Sequence, residues 1–355
     1  MHNSTDIIRP EIFQGELEVF PVHKNSELEE VFYYLEAGHR VIIEDFYSTG
    51  LQLLNELKRR IAKIDDAQFK NAHAARGLYR KLSHQVLAEV DKHKIQLKKA
   101  PHIPWLKTLY PHIEDAFAIS FPDIQALNSS WQWYEKGIQI PGLPHQIHPW
   151  FGVYFPTRFE HIQLFQQYLK ENSSSNKTAY DIGCGSGILS FIMEQNGFQE
   201  IHATDINPNA LKSMETSIQK HHYKNIQLHQ GDLFANSESS ADLIVFNPPW
   251  LPEKTNTVLD LAVYYSPELF PMFFEQAHQR MTAGSKLVLL FSNLLKLTHP
   301  NEAHPIEEEL KNNNRFQLDR LLQKPIKQAS KKTKRNTSRR ADELAELWVL
   351  EMRDF

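Results

Sequence analysis

The sequence lacks the features that would place a protein outside the cell or in a membrane. Its 355 residues include a single cysteine, Cys184, so no disulfide can form within the chain. No apolar run follows a basic start at the amino terminus, and the most apolar stretch, 287–297, is interrupted by polar residues and is well short of the ~20 residues of a membrane-spanning helix. We therefore expect a cytoplasmic protein without a membrane anchor.

An overall positive charge is also absent. The chain carries 39 Lys and Arg against 43 Asp and Glu, and its formal net charge of −4 argues against a protein that coats nucleic acid uniformly. The basic residues are nevertheless concentrated, since segment 324–340 has eight Lys or Arg and no acidic residue, and segment 57–99 has twelve against four acidic residues. Either segment can contact phosphates, although many charged segments are simply solvated surface.

Length and hydrophobic pattern predict two domains. Hydrophobic residues make up 41% of the chain, enough for a folded core, and domains usually have ~100–200 residues. Residues 1–149 mix helical and extended patterns, with two amphipathic helices between 51 and 97 and short strands at 131–140. From residue 150 strands and helices alternate, as in a parallel sheet covered by helices. We predict a mixed α/β substrate-recognition or accessory domain at 1–149 and a doubly wound α/β domain at 150–355.

The strongest motif, YDIGCGSG at residues 180–187, lies between a predicted strand and a predicted helix. Glycines at this position let the backbone turn tightly and approach a ligand, and three of them in five residues are costly in a turn that binds nothing. The nicotinamide-nucleotide fingerprint is not met, because its third glycine position is Ile188, and no Gly-Lys-Ser/Thr follows as in a P-loop. The loop therefore predicts a site for another ligand.

Acidic residues follow the next two predicted strands. Asp205 can accept hydrogen bonds from the two hydroxyls of a ribose, as the corresponding carboxylate does in other doubly wound nucleotide-binding folds. Asp232 can meet an adenine amino group beside an apolar wall. Each residue also has a purely local interpretation, Asp205 as a helix cap and Asp232 as a turn residue.

The fourth predicted strand ends in Asn247-Pro248-Pro249-Trp250. Two prolines remove two amide donors and leave backbone carbonyls free to accept from a ligand. Asn247 and the Pro248 carbonyl can accept both hydrogens of a planar amine while Trp250 stacks on its ring, an interaction worth ~1–3 kcal/mol for a nucleic-acid base. The alternative is a proline-terminated strand followed by a core tryptophan.

These motifs, in this order and spacing, resemble the class I S-adenosylmethionine-dependent methyltransferases. The chain is similar to their amino-methylating branch, marked by Asn/Asp-Pro-Pro-aromatic, which includes adenine-N6 and guanine-N2 methyltransferases of DNA and RNA and the release-factor glutamine methyltransferases. The resemblance covers about residues 150–355. It implies a Rossmann-like α/β domain with a seven-stranded sheet whose last strand is antiparallel.

The resemblance also implies the site residues. The cofactor, S-adenosyl-L-methionine, would be held by the glycine loop, by the strand-end acids and their neighbours, and by a segment before the sheet that resembles the one closing over the cofactor in this branch. These residues are Phe155, Pro156, Thr157, Asp181, Gly183, Gly185, Gly187, Asp205, Ile206, Asp232, Leu233 and Asn247. The target nitrogen would be held by the catalytic group Asn247, Pro248, Pro249 and Trp250.

Segment 324–340 favours a nucleic-acid substrate. In this family the sixth strand ends at the ligand-binding edge before the seventh returns, so we expect the segment that joins them to lie over the substrate mouth. Trp250 would then bind a base while six basic residues bind phosphates: Lys331, Lys332, Lys334, Arg335, Arg339 and Arg340. We predict N-methylation of an exocyclic base amine, in RNA rather than DNA because no target-recognition domain for DNA is recognisable.

Two alternatives stay open. One is a protein-glutamine N5 or small-molecule N-methyltransferase, although Trp250 stands where the glutamine methyltransferases typically have Tyr. The other is a non-catalytic cofactor-binding module, against which the intact residues 247–250 argue.

No metal site is predicted. His145, His148, His221 and His222 have no third ligand at a suitable spacing, and the chemistry needs no metal. We expect Cys184 to be a small loop residue and not a nucleophile.

Overall fold

The computed structural model describes residues 7–68, 72–172, 177–235, 237–252, 264–326 and 342–353. The chain forms two compact units, one of residues 9–135 and one of residues 1–8 and 136–355. The division falls before the predicted boundary at 149/150. The reason is a short hairpin of β7 (Ile138–Gln139) and β8 (Gln146–Ile147), whose isoleucines are buried in the core of the second unit.

The first unit is a mixed α/β domain. Its elements are β1 (Ile12–Phe13), β2 (Val19–Val22), α1 (Leu28–Glu36), β3 (Arg40–Ile43), α2 (Tyr47–Gln68), α3 (Ala72–Ser83), β4 (Val86–Asp91), β5 (Lys94–Ile95), α4 (Trp105–Leu109), β6 (Phe117–Ser120) and α5 (Phe121–Lys136). The sheet order is β1-β6-β4-β3-β2, with β5 paired to β4. Strands β2, β3 and β4 are parallel, and β6 runs antiparallel to β4.

Two predictions for this unit were wrong in detail. Residues 86–91 form the central strand β4 and not the end of a helix, because its apolar residues pair with strands on both sides. Trp131 lies on helix α5 and not on a strand, because Ile124 and Leu127 continue the same buried face at helical spacing. The indole of Trp131 packs edge-on against Trp105 at 5.5 Å between ring centroids.

The second unit contains a seven-stranded sheet in the order β11-β10-β9-β12-β15-β17-β16. Its remaining elements are α6 (Glu160–Glu171), β9 (Thr178–Ile182), α7 (Ile188–Gln195), β10 (Glu200–Asp205), α8 (Pro208–His221), β11 (Ile226–Gln230), β12 (Ala241–Phe246), β13 (Leu251–Pro252), β14 (Tyr264–Tyr265), α9 (Leu269–Arg280), β15 (Met281–Ser292), α10 (Leu294–Thr298), α11 (Pro305–Asn312), β16 (Phe316–Pro325) and β17 (Leu344–Met352). β17 is antiparallel to both of its neighbours. The predicted Rossmann-like sheet with a reversed last strand is confirmed.

The central strands are apolar on both faces because helices cover both. On β12, Leu243 and Val245 point into a core shared with α6 and α7, whereas Ile244 and Phe246 point into a second core shared with α9. A strand buried on both sides is therefore almost continuously hydrophobic. Within the described ranges, no helix combines the length and hydrophobicity that crossing a bilayer requires.

Parallel alignment brings the predicted motifs to one edge of the sheet. Ile182 at the end of β9 pairs with Thr204 of β10 on one side and with Phe246 of β12 on the other. The glycine loop, Asp205 and Asn247 directly follow these three residues. They are therefore neighbours at the carboxyl edge, where ligands bind in this class of fold.

We predict opposite effects of Gly→Ala at two helical positions of the first unit. A Cβ on Gly50 of α2 would lie 2.3 Å from a ring carbon of the fully buried Phe121, so Gly50→Ala should lower the free energy of unfolding by about 1–3 kcal/mol. A Cβ on Gly77 of α3 meets no atom of the described residues within 4 Å, so Gly77→Ala should raise the free energy of unfolding by up to about 1 kcal/mol. Urea denaturation followed by circular dichroism measures both; stabilisation by Gly50→Ala would contradict the packing.

Candidate functional site

A cavity of about 660 Å³ opens at the carboxyl edge of the seven-stranded sheet. This volume is typical of small-molecule and cofactor sites. The predicted site residues that line it are Pro156, Thr157, Asp181, Gly183, Gly185, Asp205, Ile206, Asp232, Leu233, Asn247, Pro248, Pro249 and Trp250. Sequence reasoning missed Tyr154, His161, Tyr264, Tyr265, Met272, Ile326 and Glu343, which also line it. Arg158, also in the lining, belongs to segment 155–160, which resembles the segment that closes over the cofactor.

The glycine loop approaches the neighbouring backbone closely. Gly185 has φ +51°, and a Cβ there would lie 3.3 Å from the carbonyl oxygen of Tyr154. Gly187 does not line the cavity; it is the left-handed N-cap of α7, and a Cβ would lie 2.8 Å from Met214. Gly187 thus supports the loop conformation without contacting the cavity. Phe155 also lies outside the lining, half-buried against the core below α6.

Asp181, at the end of β9, is a buried carboxyl with one unsatisfied oxygen. Its Oδ2 accepts hydrogen bonds from the Ser190 amide at 3.0 Å and from the Ser190 hydroxyl at 2.6 Å. Its Oδ1 is buried and has no partner within the described residues. Burial raises the pKa of Asp181 to about 7 against these two hydrogen bonds, so a proton or a cation at Oδ1 would stabilise it.

Asp205 connects two loops. Its Oδ2 accepts from the Gly185 amide at 2.8 Å, and its Oδ1 accepts from the Asn207 amide at 2.8 Å. Each carboxylate oxygen has a second lone pair, so both can still accept from ligand hydroxyls. Burial raises the pKa of Asp205. The local interpretation of Asp205 as a helix cap was wrong, because Asn207 caps α8 by accepting from the Asn209 amide.

The loop after β11 adds a polar and an apolar group. Asp232 lines the cavity and also begins a turn, in which its carbonyl accepts from the Ala235 amide at 2.8 Å. Leu233 is buried beside it with φ +47°, and its carbonyl accepts from the Thr204 hydroxyl. Across the cavity, Ile206 is 51% exposed, an unusual position for such an apolar side chain. Leu233 and Ile206 therefore form apolar walls of the cavity, with the Asp232 carboxylate beside them.

Asn247 and Trp250 occupy the other half of the cavity. The Asn247 side-chain oxygen is buried and has no hydrogen-bond partner among the described residues. Pro248 and Pro249 are buried, while the half-buried Trp250 donates its indole N–H to the Leu290 carbonyl at 3.2 Å. The hydrogen bond to Leu290 is what a purely structural tryptophan would make. Trp250 also lines the cavity, which that alternative does not require.

The mouth is apolar and contains one ion pair. Tyr154 and Met272 are each 41% exposed although they line the cavity. Arg158 pairs with the buried Glu343 at 3.1 Å. Ile326, whose amide donates to the Glu343 carbonyl at 3.0 Å, completes this side. Arg158 belongs to segment 155–160, which precedes the sheet, whereas no sequence motif marked Tyr154, Met272, Ile326 and Glu343, which come from segments joined only by the fold.

The six predicted phosphate-binding residues, Lys331, Lys332, Lys334, Arg335, Arg339 and Arg340, lie outside the described residues. The chain that contains them joins the cavity-lining residues Ile326 and Glu343. Their role in substrate binding stays a prediction.

The histidines considered as metal ligands lie elsewhere. His145 stacks on His221 at 3.6 Å between ring centroids and contacts the Tyr223 hydroxyl at 2.6 Å. Within the described ranges, no group of three or more His, Cys, Asp or Glu is arranged to hold a metal ion. Cys184 is buried, and burial with the nearby Asp205 and Asp181 carboxylates raises the pKa of its thiol well above the ordinary value.

Comparison with known proteins finds similarity over part of the chain. Residues 152–319 match the family model described as methyltransferase small domain. A candidate protein N5-glutamine methyltransferase of Methanocaldococcus jannaschii is 32% identical over 123 residues, 35% of this chain and 59% of that protein. A ribosomal protein L11 methyltransferase of Caldanaerobacter subterraneus is 23% identical over 175 residues, 44% and 53% of the two chains. The chain thus spans just over half the length of these relatives.

Solved structures resemble part of this chain at low sequence identity. One of them is a 16S rRNA N2 methyltransferase of T. thermophilus, solved with AdoMet and guanosine. It is 18% identical to this chain with a TM-score of 0.40, over 61% of this chain and 50% of that one.

The cavity fits S-adenosyl-L-methionine. Asp205 and Ile206 suit a ribose and the face of an adenine, and Asp232 can accept from the adenine amino group. The unsatisfied Oδ1 of Asp181 suits a cationic amino group. Gly185 leaves no side chain between the loop and the ligand. These groups therefore match the ribose, the adenine and the cationic amino group of an adenosyl amino acid.

Cofactor affinity should depend on pH through Asp181. Its folded-state pKa of about 7 lies above the ordinary 3.8, so below pH 7 the carboxyl holds a proton that a cationic ligand must displace. Affinity for S-adenosylmethionine should rise with pH between roughly pH 5.5 and 7, by up to about tenfold per unit. Calorimetric titration measures this slope.

Two variants test whether Asp181 or another titrating group causes the pH dependence. Asp181→Asn should bind more weakly and lose most of the slope, whereas Asp242→Asn should keep it, because Asp242 is exposed at the start of β12 and bonds the Thr178 amide. An unchanged slope in Asp181→Asn would assign the effect to another group.

Proposed function

We propose that this protein transfers a methyl group from S-adenosyl-L-methionine to a planar amino nitrogen. The premise is that residues 152–319 are a class I methyltransferase domain of the methyltransferase small family. The acceptor we propose is an exocyclic amine of a nucleic-acid base, in RNA rather than DNA. The observation that carries the proposal is the buried side-chain oxygen of Asn247 on the cavity wall, which has no partner among the described residues.

Asn247 and Pro248 suit an amino group. When bound, S-adenosylmethionine supplies a methyl group already activated by its sulfonium, so the protein needs no strong base. The Asn247 oxygen and the Pro248 carbonyl accept the two N–H hydrogens and direct the nitrogen lone pair into the cavity. As the nitrogen becomes cationic these acceptors bind it more strongly, and such differential stabilisation raises the rate.

The rest of the cavity orients the acceptor and excludes water. Trp250 presents a flat apolar face on which a base can stack, at ~1–3 kcal/mol. Pro249 is buried beside it and holds the backbone rigid, since proline restricts φ. A rigid wall that fixes the acceptor supplies much of the rate in reactions of this kind, because alignment is entropically expensive. A base in a duplex must be flipped out or presented single-stranded to enter.

The residues that flank the basic segment support RNA as acceptor. β16 runs toward the carboxyl edge and β17 returns from it, so the chain between Pro325 and Leu344 leaves and re-enters the sheet at the site. The lining residues Ile326 and Glu343 flank this chain on both sides. Phosphate contacts position a nucleic acid without reading its sequence, which is the role we propose for the six basic residues.

The relative with N5-glutamine methyltransferase in its name favours a second candidate, a protein glutamine. A glutamine amide is also a planar amino group and would use the same two acceptors. A non-catalytic module is the third alternative, and it predicts no methyl transfer to any acceptor.

Asn247→Ala should keep cofactor affinity and lose methyl transfer by roughly 100-fold or more, since loss of one preorganised electrostatic partner has costs of this order. Asn247→Asp retains an acceptor oxygen and should lose less. Calorimetry with S-adenosylmethionine and tritiated methyl transfer into fractionated cell RNA, DNA and protein separate the two effects. Unchanged transfer in Asn247→Ala would refute the amino-group clamp.

The acceptor class can be tested by charge. Replacing Lys331, Lys332, Lys334 and Arg335 by Gln should weaken RNA binding and reduce its salt dependence, by a slope of ~0.7 per lost phosphate contact on single-stranded RNA. A control with equal charge change replaces four other lysines by Gln: Lys177 just before β9, Lys212 and Lys220 on α8, and Lys224 just after α8. Tritium in protein instead of RNA, with RNA binding equal in both variants, would support the glutamine candidate.

A further inference from the structure

Two aromatic side chains of the acceptor half bind consecutive carbonyls of one strand. The imidazole of His161 donates from Nε2 to the Phe291 carbonyl at 2.5 Å, and the indole of Trp250 donates to the Leu290 carbonyl at 3.2 Å. Both carbonyls lie beyond Leu289, the last residue of β15 that pairs with β12. The same two residues still pair with β17, Leu290 with Leu347 and Phe291 with Glu346, so the two rings bind the strand where β12 has ended and β17 continues.

The two rings also contact each other. Their centroids are 4.6 Å apart and their planes are inclined by 32°. His161 is 7% exposed and, like Trp250, lines the cavity. His161 therefore packs on the indole where Trp250 lines the cavity, while Trp250 also packs on the core shared with α9.

His161 has the properties of a fixed neutral support. A carbonyl can only accept, so Nε2 must hold the hydrogen. Burial lowers the pKa of His161 to about 4, which keeps the ring uncharged at neutral pH. The residue lies in the first turn of α6, three residues after Arg158, which pairs with Glu343 of the mouth. Helix α6 thus connects the lining segment before the sheet to the acceptor wall.

We propose that His161 is a positioning residue for methyl transfer: its ring sets the plane of the Trp250 indole and so the orientation in which the acceptor stacks. The consequence for transfer rests on the function proposed above, whereas the effect on Trp250 can be measured without any acceptor. His161 acts through Trp250 and needs no contact with the reacting atoms.

Two variants separate the ring from the hydrogen bond. His161→Gln keeps an N–H donor for the Phe291 carbonyl but removes the ring, whereas His161→Phe keeps a ring and removes the donor. A matched control is His304→Gln, because His304 is also a buried histidine, packs on Phe291 at 4.8 Å and on Trp348 at 5.2 Å, and does not line the cavity.

The orientation of Trp250 can be followed by fluorine NMR of full-length protein labelled with 5-fluorotryptophan. The sequence has six tryptophans, and the Trp250 line is assigned by its loss in Trp250→Phe. In His161→Gln we expect this line to broaden or split, because the indole samples several orientations. His161→Phe and His304→Gln should leave it as a single sharp line. A sharp line in His161→Gln, or equal broadening in His304→Gln, would overturn the proposal.

Kinetics with tritiated methyl transfer to cell RNA supply the second readout. An aromatic pair is worth ~0.5–1.5 kcal/mol, so His161→Gln should raise KM for RNA about 2- to 10-fold and leave the cofactor dissociation constant within about twofold. In a Trp250→Phe background the same substitution should add little. Full additivity of the two substitutions would refute the coupling. Absence of transfer by the unmodified protein would instead refute the proposed function, and the NMR result would still decide the role of His161.

Discussion

The position of β9 between β10 and β12 is the constraint on which the site depends. Ile182 pairs with Thr204 and with Phe246, so the next residue of each strand emerges at the same edge. Gly183, Asp205 and Asn247 are these residues, although 64 positions separate the first from the last. A shift of one residue in either pairing would invert the faces of the strand and move these groups apart.

The site contains polar groups whose burial is unfavourable until a ligand binds them. Asp181 and Asp205 are carboxyls whose pKa is raised by burial, and Asn247 keeps an unsatisfied buried oxygen. Such groups cost stability in a folded chain, and they are tolerated where a ligand completes them. Amide donors from Gly185 and Asn207 partly offset the cost at Asp205. The cavity is therefore preorganised for a ligand with a hydroxyl-rich part and a cationic part.

Local chemistry made much of the second unit predictable and left the first less so. Between 178 and 292, β12 and residues 287–291 of β15 are apolar on both faces and the loops contain glycine, asparagine or proline, so pattern and turn residues agree. At residues 86–91 and around Trp131 the hydrophobic pattern is ambiguous, because a short apolar run fits a helix or a strand equally well. Burial in the sheet made the first a strand, and burial on a helix face made the second part of a helix. Gly187 illustrates the same limit within the site, since its motif position suggested a ligand contact and its packing on Met214 makes it a support.

The sequence by itself determined the class of fold, the edge at which the site lies and the acceptors on Asp181, Asp205 and Asn247, because glycine turns and strand-end residues act locally. Only the tertiary structure decided which distant residues complete the cavity. His161, in the first turn of α6, and Glu343, just before β17, have no signature of their own. They meet because β15 lies between β12 and the reversed strand β17, and its last carbonyls accept the N–H groups of His161 and Trp250.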